Sequence, residues 1–404
     1  MPTTPIRTRT RRTPASDAAL LRAIAPVAED EFLAAHWERQ PLHVARGEAG
    51  RFDDLLSARD AERLISEPGL RIPGFRMVKA GAKLAPRDYT VDLSWRPVAF
   101  TGTADTPRVL AEYEQGATVV LQGLHLNWTP LARYCRELGA FIGHPVQANA
   151  YLTPRRAQGL PVHHDTHDVF VLQVSGSKRW LVYDPVFELP LKHQRYVEEM
   201  GEHGPAVLDL VLRAGDTLYL PRGWMHEALT SDEDSLHLTV GVSVQTWLDA
   251  FKAALERCEE DVEFRRSVPE DGDGAGGLLE RLAEHLAPEA MAGAARERLV
   301  AGRRPVLDGQ LDDLRALERL GPDTRVERRA TVLADLLDAD DDRVALVFEG
   351  KRILFPARAR EEVEALVAST GPARLADLPG RLDVAGRLVL ARRLVREGFL
   401  RISG

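Results

Sequence analysis

Cysteine is scarce in this 404-residue sequence. Its two thiols, Cys135 and Cys258, are too few for a disulfide framework or a four-thiolate zinc site, so a reducing compartment is expected. Long apolar runs are missing as well. None approaches the roughly 20 residues of a membrane span, and the first residues lack the apolar core of a secretory leader. These absences predict a cytoplasmic protein. Basic excess is also lacking: 53 Lys and Arg against 61 Asp and Glu leave a net charge of −8. That argues against bulk nucleic-acid coating, though not against a local basic patch. What is present is 44% hydrophobic and 28% charged residues, which excludes a disordered or collagen-like chain. The length suggests roughly two to three domains.

Character changes several times along the chain. Residues 1–16 carry four arginines and three prolines without an acidic or aromatic residue, and are expected to be a disordered basic arm. Helical periodicity follows to about Ser66, with Ser57 and Asp60 marking a helix start. A strand near 117–121 and an amphipathic helix ending near Gly139 come next. From Gln147 to Val244, short runs rich in Val, Leu, Tyr and Trp alternate with Gly176, Pro185, Gly215–Asp216, Pro221 and Gly223. That spacing predicts an all-β double-sheet jelly roll. Helical stretches resume after Trp247. Beyond about Arg325, strand-like VALVFEG and KRILFP flank Gly350 as a hairpin, followed by two helical segments and a terminal strand. The expected architecture is α+β: a catalytic jelly-roll domain over 17–247, a helical domain over 248–324 and a winged-helix-like domain over 325–404.

The chemistry concentrates in PVHHDTHDVF and LPRGWMHEA. With a strand period of two, His163 and Asp165 share a face while His164 points away. His226, far downstream behind an apolar strand, supplies the third ligand. Two imidazoles and one carboxylate form the facial triad of non-haem Fe(II) oxygenases, which leaves coordination positions open for a bidentate cosubstrate and dioxygen.

These segments resemble the JmjC-type cupin 2-oxoglutarate oxygenases, specifically the ribosomal-oxygenase branch of ribosomal-protein histidyl and arginyl hydroxylases. FLAAHWERQPLHV, GATVVLQGLH, GHPVQANAYLTP and SLHLTVGV extend the resemblance over roughly residues 28–250. NAYLTP, followed by QG, is most similar to the histidyl hydroxylases. The resemblance implies a double-stranded β-helix core, Fe(II) held by His163, Asp165 and His226, and 2-oxoglutarate as cosubstrate. It further implies that Lys178 grips the distal carboxylate, with Tyr151 donating a hydroxyl to it and Asn149 lining the same pocket. A buried dicarboxylate needs such a cation on physical grounds. Asp234 before SLHLT and VGVSV after it depart from the branch's pattern. His237 is read as a core histidine, outside the site.

The expected function is therefore hydroxylation of a histidine, or arginine, side chain of a ribosomal protein by a homodimeric enzyme. Two alternatives share parts of this reading. One is the same oxygenase chemistry on a non-ribosomal peptide or small molecule. The other is a DNA-binding regulator with a metabolite-sensing cupin. From Asp340 onward, twelve basic residues against ten acidic ones leave no concentrated basic face, so strong nucleic-acid binding is not expected.

Overall fold

The computed structural model describes residues 6–9, 14–67, 69–157, 160–230, 232–271 and 274–403. The chain divides into two compact units, one of residues 15–141 with 146–244, the other of residues 1–14, 142–145 and 245–404. Among the described residues, no helix is long and apolar enough to cross a membrane.

The first unit is built on one long strand, Asp168–Tyr183, which belongs to two sheets. Its first half lies between Thr217–Leu220 and Ser235–Val242. Its second half lies between Ala206–Arg213 and Met225–Leu229. Beyond Ser235–Val242 the larger sheet continues through Val146–Thr153, Thr118–Leu121, Phe75–Lys79 and Ala82–Lys83, with Leu42–Val44 at its other edge. All these pairings are antiparallel. The result is the expected jelly roll.

Its construction departs from expectation at Gly176, which was read as a turn between two strands. The strand instead runs straight through it, and Gly176 is where the partners change: Ser235 faces Gly176 on one side, and Arg213 faces Ser177 on the other. Only glycine fits this corner. Its φ is +63°, and an added Cβ would lie 1.7 Å from the Asp234 carbonyl oxygen. The short strand Met225–Leu229 also lacked a sequence signal, because MHEAL has no apolar alternation. Val169, Val171, Trp180, Val182, Leu212, Leu218 and Leu220 pack between the two sheets. Burial of these branched and aromatic side chains is the main stabilising term, about 1.5–3 kcal/mol for each large one.

An N-terminal helix start appears where Ser57 suggested it. Ser57 and Asp60 form a reciprocal capping box at the head of Ala58–Ser66.

The second unit holds helices Trp247–Cys258, Ala275–His285 and Pro288–Ala301, then mixed strands and helices. Arg343–Phe348 and Lys351–Pro356 pair across Glu349 and Gly350, both with positive φ, which is the two-residue hairpin suggested around Gly350. Of the expected disordered arm, residues 1–5 and 10–13 lie outside the described residues. Ile6–Arg9, by contrast, form a strand on Ala334–Asp340, and a helix begins at Pro14. Backbone pairing along a sheet edge orders the strand without calling on apolar side chains.

Candidate active site

His163, Asp165 and His226 converge, with one ligand-type atom from each lying within 4.8 Å of the others. The geometry behind this differs from a simple strand face. His163 forms an isolated bridge with His226, and Asp165 lies in the loop between that bridge and the long strand. The two histidines exchange backbone hydrogen bonds of 2.9 and 3.2 Å. Asp165 is anchored by its carbonyl, which accepts from the Gly223 N–H at 3.1 Å. Gly223 is required there: its φ is +92°, and a Cβ would lie 2.5 Å from the Phe187 carbonyl oxygen. His164 turns away, as the period-two reading expected, with Nε2 3.2 Å from the Gln194 carbonyl.

The imidazoles are oriented for metal binding. His163 Nδ1 lies 2.8 Å from the Pro161 carbonyl, and His226 Nδ1 lies 3.0 Å from that of Trp224. A carbonyl only accepts, so both Nδ1 atoms carry the proton and both Nε2 atoms keep a lone pair. Burial, reinforced by His163, lowers the His226 pKa to about 4, which keeps that ring neutral at physiological pH. Burial alone would raise the Asp165 carboxyl. The surrounding imidazoles of His167, His226, His163 and His164 outweigh it and hold the group below the ordinary carboxylate value. Two imidazoles and a carboxylate fit a divalent first-row metal.

A cavity runs from these residues into the jelly roll, where Lys178, Tyr151, His237, Thr118 and Arg76 line it. Lys178 is 3% exposed, and its ammonium donates to Thr153 Oγ1 at 3.0 Å. Burial depresses its pKa to about 7. Tyr151 also lines the cavity, and burial raises its pKa. Asn149 points elsewhere: its Oδ1 accepts from the Gly123 N–H at 2.9 Å, holding the turn before the helix Leu124–Asn127. Arg76 and Glu227 line the cavity without having been singled out in the sequence, since neither sits in a spacing that marks chemistry. His237 is a correction. It is buried, lines the cavity, stacks on Tyr151 (centroids 5.0 Å, 3°), and its Nδ1 has no hydrogen-bond partner. SLHLT was its signal, misread because an inward histidine on a wholly buried strand looks like core.

Behind the loop that carries Asp165 lies a buried ionic cluster. The Arg222 guanidinium pairs with Asp168 at 2.9 Å and Glu38 at 2.5 Å, while Tyr219 donates to Asp168 at 3.0 Å. Glu38, in the left-handed region at φ 56°, donates its N–H to the Tyr219 hydroxyl. WERQP and LPRGW are thus linked in space: Glu38 and Arg222 pair beside the loop that carries Asp165.

Residues 124–250 match the JmjC domain model. Over 314 residues the chain is 31% identical to the bifunctional lysine-specific demethylase and histidyl-hydroxylase NO66 of Drosophila persimilis, covering 74% of this chain and 43% of that one. Ribosomal oxygenase 1 of Gallus gallus is 34% identical over 267 residues, covering 63% of this chain and 42% of that one. The chain thus spans less than half the length of these relatives. The structure of the Escherichia coli ribosomal oxygenase YcfD with cobalt and 2-oxoglutarate shares the fold at a TM-score of 0.55 and 19% identity, covering 94% of this chain and 99% of that one.

Proposed function

We propose, from the match of residues 124–250 to the JmjC domain model, that the protein is an Fe(II)- and 2-oxoglutarate-dependent hydroxylase of a ribosomal-protein side chain, histidine ahead of arginine. The observation that carries this reading is the joining of two groups in one cavity: a His163–Asp165–His226 cluster and, deeper, the buried Lys178 without a carboxylate partner among its hydrogen bonds. A buried ammonium beside an open cavity suits an anionic ligand.

In this reading His163, Asp165 and His226 hold Fe(II), which supplies the activation of dioxygen that converts 2-oxoglutarate to succinate and carbon dioxide and hydroxylates a C–H bond. The chain's own residues do the rest. The Pro161 and Trp224 carbonyls fix the ligand tautomers. Lys178 neutralises the distal carboxylate, and the Tyr151 hydroxyl is an additional donor to it. The apolar walls, Val169, Val171, Trp180 and Leu220, exclude water and hold the cosubstrate in one orientation. Asn149 is assigned to the site only through the turn it supports. The relatives, a ribosomal oxygenase and a histidyl-hydroxylase by name, favour ribosomal-protein substrates, and the similarity of NAYLTP favours histidine.

The same reading extends to the second unit. Helix Trp247–Cys258 leaves Trp247, Leu248, Phe251 and Leu255 exposed, Trp247 by 71%. That apolar face fits homodimerisation through residues 248–324, with 325–404 as a winged-helix-like domain.

The test is incubation of Fe(II)-loaded protein with 2-oxoglutarate and purified ribosomal proteins, wild type beside His226→Ala. Succinate release with a one-oxygen mass gain on a ribosomal protein is the expected outcome. Turnover of 2-oxoglutarate without such a product overturns the substrate assignment, and no turnover overturns the oxygenase.

A further inference from the structure

Two buried polar side chains share one region of the cavity lining. Lys178 and His237 line the same space, both at 3% exposure. Lys178 has Thr153 as its hydrogen-bond partner, and the His237 Nδ1 has none. The His237 ring is fixed on two sides. It lies flat on Tyr151, its cross-strand partner in register, and edge-on to Trp180 at 5.6 Å and 76°. A ring held this rigidly has little rotamer freedom to lose when a ligand binds beside it.

We propose that Lys178 and His237 together form a proton-linked dicarboxylate receptor, in which the anion binds with uptake of a proton and His237 acts as a positioning residue that donates to its distal carboxylate. This rests on the 2-oxoglutarate reading above and deepens it.

Charge explains the linkage. Burial alone depresses Lys178 to about 7, and no carboxylate contributes to that shift. His237 is held neutral by burial first and then by repulsion from Lys178, so the pair carries at most one positive charge. The other ionisable groups lining the cavity are Arg76, Tyr151, His163, Asp165, His226 and Glu227. Above neutrality the empty receptor is largely uncharged. A carboxylate placed beside Lys178 favours its ammonium form and draws a proton from solvent. Two donors of different kinds then serve one carboxylate: an ammonium that acquires its charge on binding, and an imidazole that stays neutral.

The experiment is calorimetric titration of Mn(II)-loaded full-length protein with 2-oxoglutarate, without dioxygen, in buffers of different ionisation enthalpy. Manganese occupies the histidine ligands, so they do not exchange protons. At pH 8 the wild type is expected to take up about one proton per molecule bound, falling toward zero at pH 6. Lys178→Arg, permanently charged, is expected to bind with no uptake. His237→Phe is expected to raise Kd about tenfold or more while keeping the uptake, and His237→Gln to restore affinity to within about threefold. Binding without proton uptake at pH 8, or undiminished affinity in His237→Phe, overturns this proposal and leaves the oxygenase reading standing. No binding by the wild type overturns both.

Discussion

His163 and His226 are joined through their backbones as well as by the convergence of their side chains. The N–H of each donates to the carbonyl of the other, at 3.2 and 2.9 Å, in a bridge that stands outside the regular strands. The two rings sit with centroids 4.5 Å apart, and both Nδ1 atoms are committed to backbone carbonyls. Preorganisation of this kind is what lets a site of three protein ligands bind a labile divalent ion.

His226→Ala is expected to weaken Fe(II) or Mn(II) binding by at least about 100-fold, a loss beyond that usual for supporting residues. The fold should survive, because the backbone bridge does not need the ring. Metal retention after gel filtration and the circular dichroism spectrum check the two parts separately.

Gly176→Ala places a side chain against the Asp234 carbonyl and forces a positive φ on it. The expected cost is about 3 kcal/mol or more. Urea denaturation beside the wild type measures it. A neutral substitution there would mean that the corner between the two sheets is not constrained as described.

Lys178 is a burden on the metal-free, ligand-free fold. Its folded pKa, about 7, is below its unfolded value, so the unfolded state binds more protons in between. The penalty is complete below about pH 7 and disappears as pH rises toward 10. Lys178→Met is therefore expected to raise Tm at pH 7, by about 5 °C, and to remove the wild type's rise in stability between those pH values. It should also abolish 2-oxoglutarate binding. Scanning calorimetry from pH 6 to 10 with both proteins is the check.

Arg222 neutralises a buried carboxylate. Burial raises the Asp168 pKa, and Arg222 is the largest opposing influence. Arg222→Met is expected to cost roughly 3–5 kcal/mol by stranding Asp168, whereas combining it with Asp168→Asn should recover part of that loss. A double-mutant cycle in urea reads the difference.

The apolar face of helix Trp247–Cys258 has a direct test. Phe251→Glu with Leu255→Glu should convert a sedimenting dimer to monomer, since both side chains are more than two-fifths exposed in a single chain. A wild type that sediments as a monomer at all concentrations ends the homodimer reading.

Much of the site was legible because its chemistry is carried by short spacings. His163 and Asp165 were paired by period-two reasoning, and they do converge, although the segment turns out to be a bridge and a loop rather than a strand. His226 was recognisable by its approach, a Gly-Asp turn and an apolar strand. Gly176 misled, because a glycine with positive φ reads equally as a turn or as a bend inside a continuous strand. Arg76 was hidden, and His237 was set aside as core, for another reason. What makes them part of the cavity is their neighbours across the sheet, and cross-strand register is a long-range property that no local pattern carries.

The long strand Asp168–Tyr183 has one more consequence. It starts beside the loop that carries Asp165, passes through Gly176 and carries Lys178 two residues later, so one uninterrupted length of backbone links these lining residues. The two sheets cannot part like jaws without breaking that strand's own hydrogen bonds. The spacing between the loop that carries Asp165 and the Lys178 side chain is thereby set by a single strand, a fixed length built into the backbone.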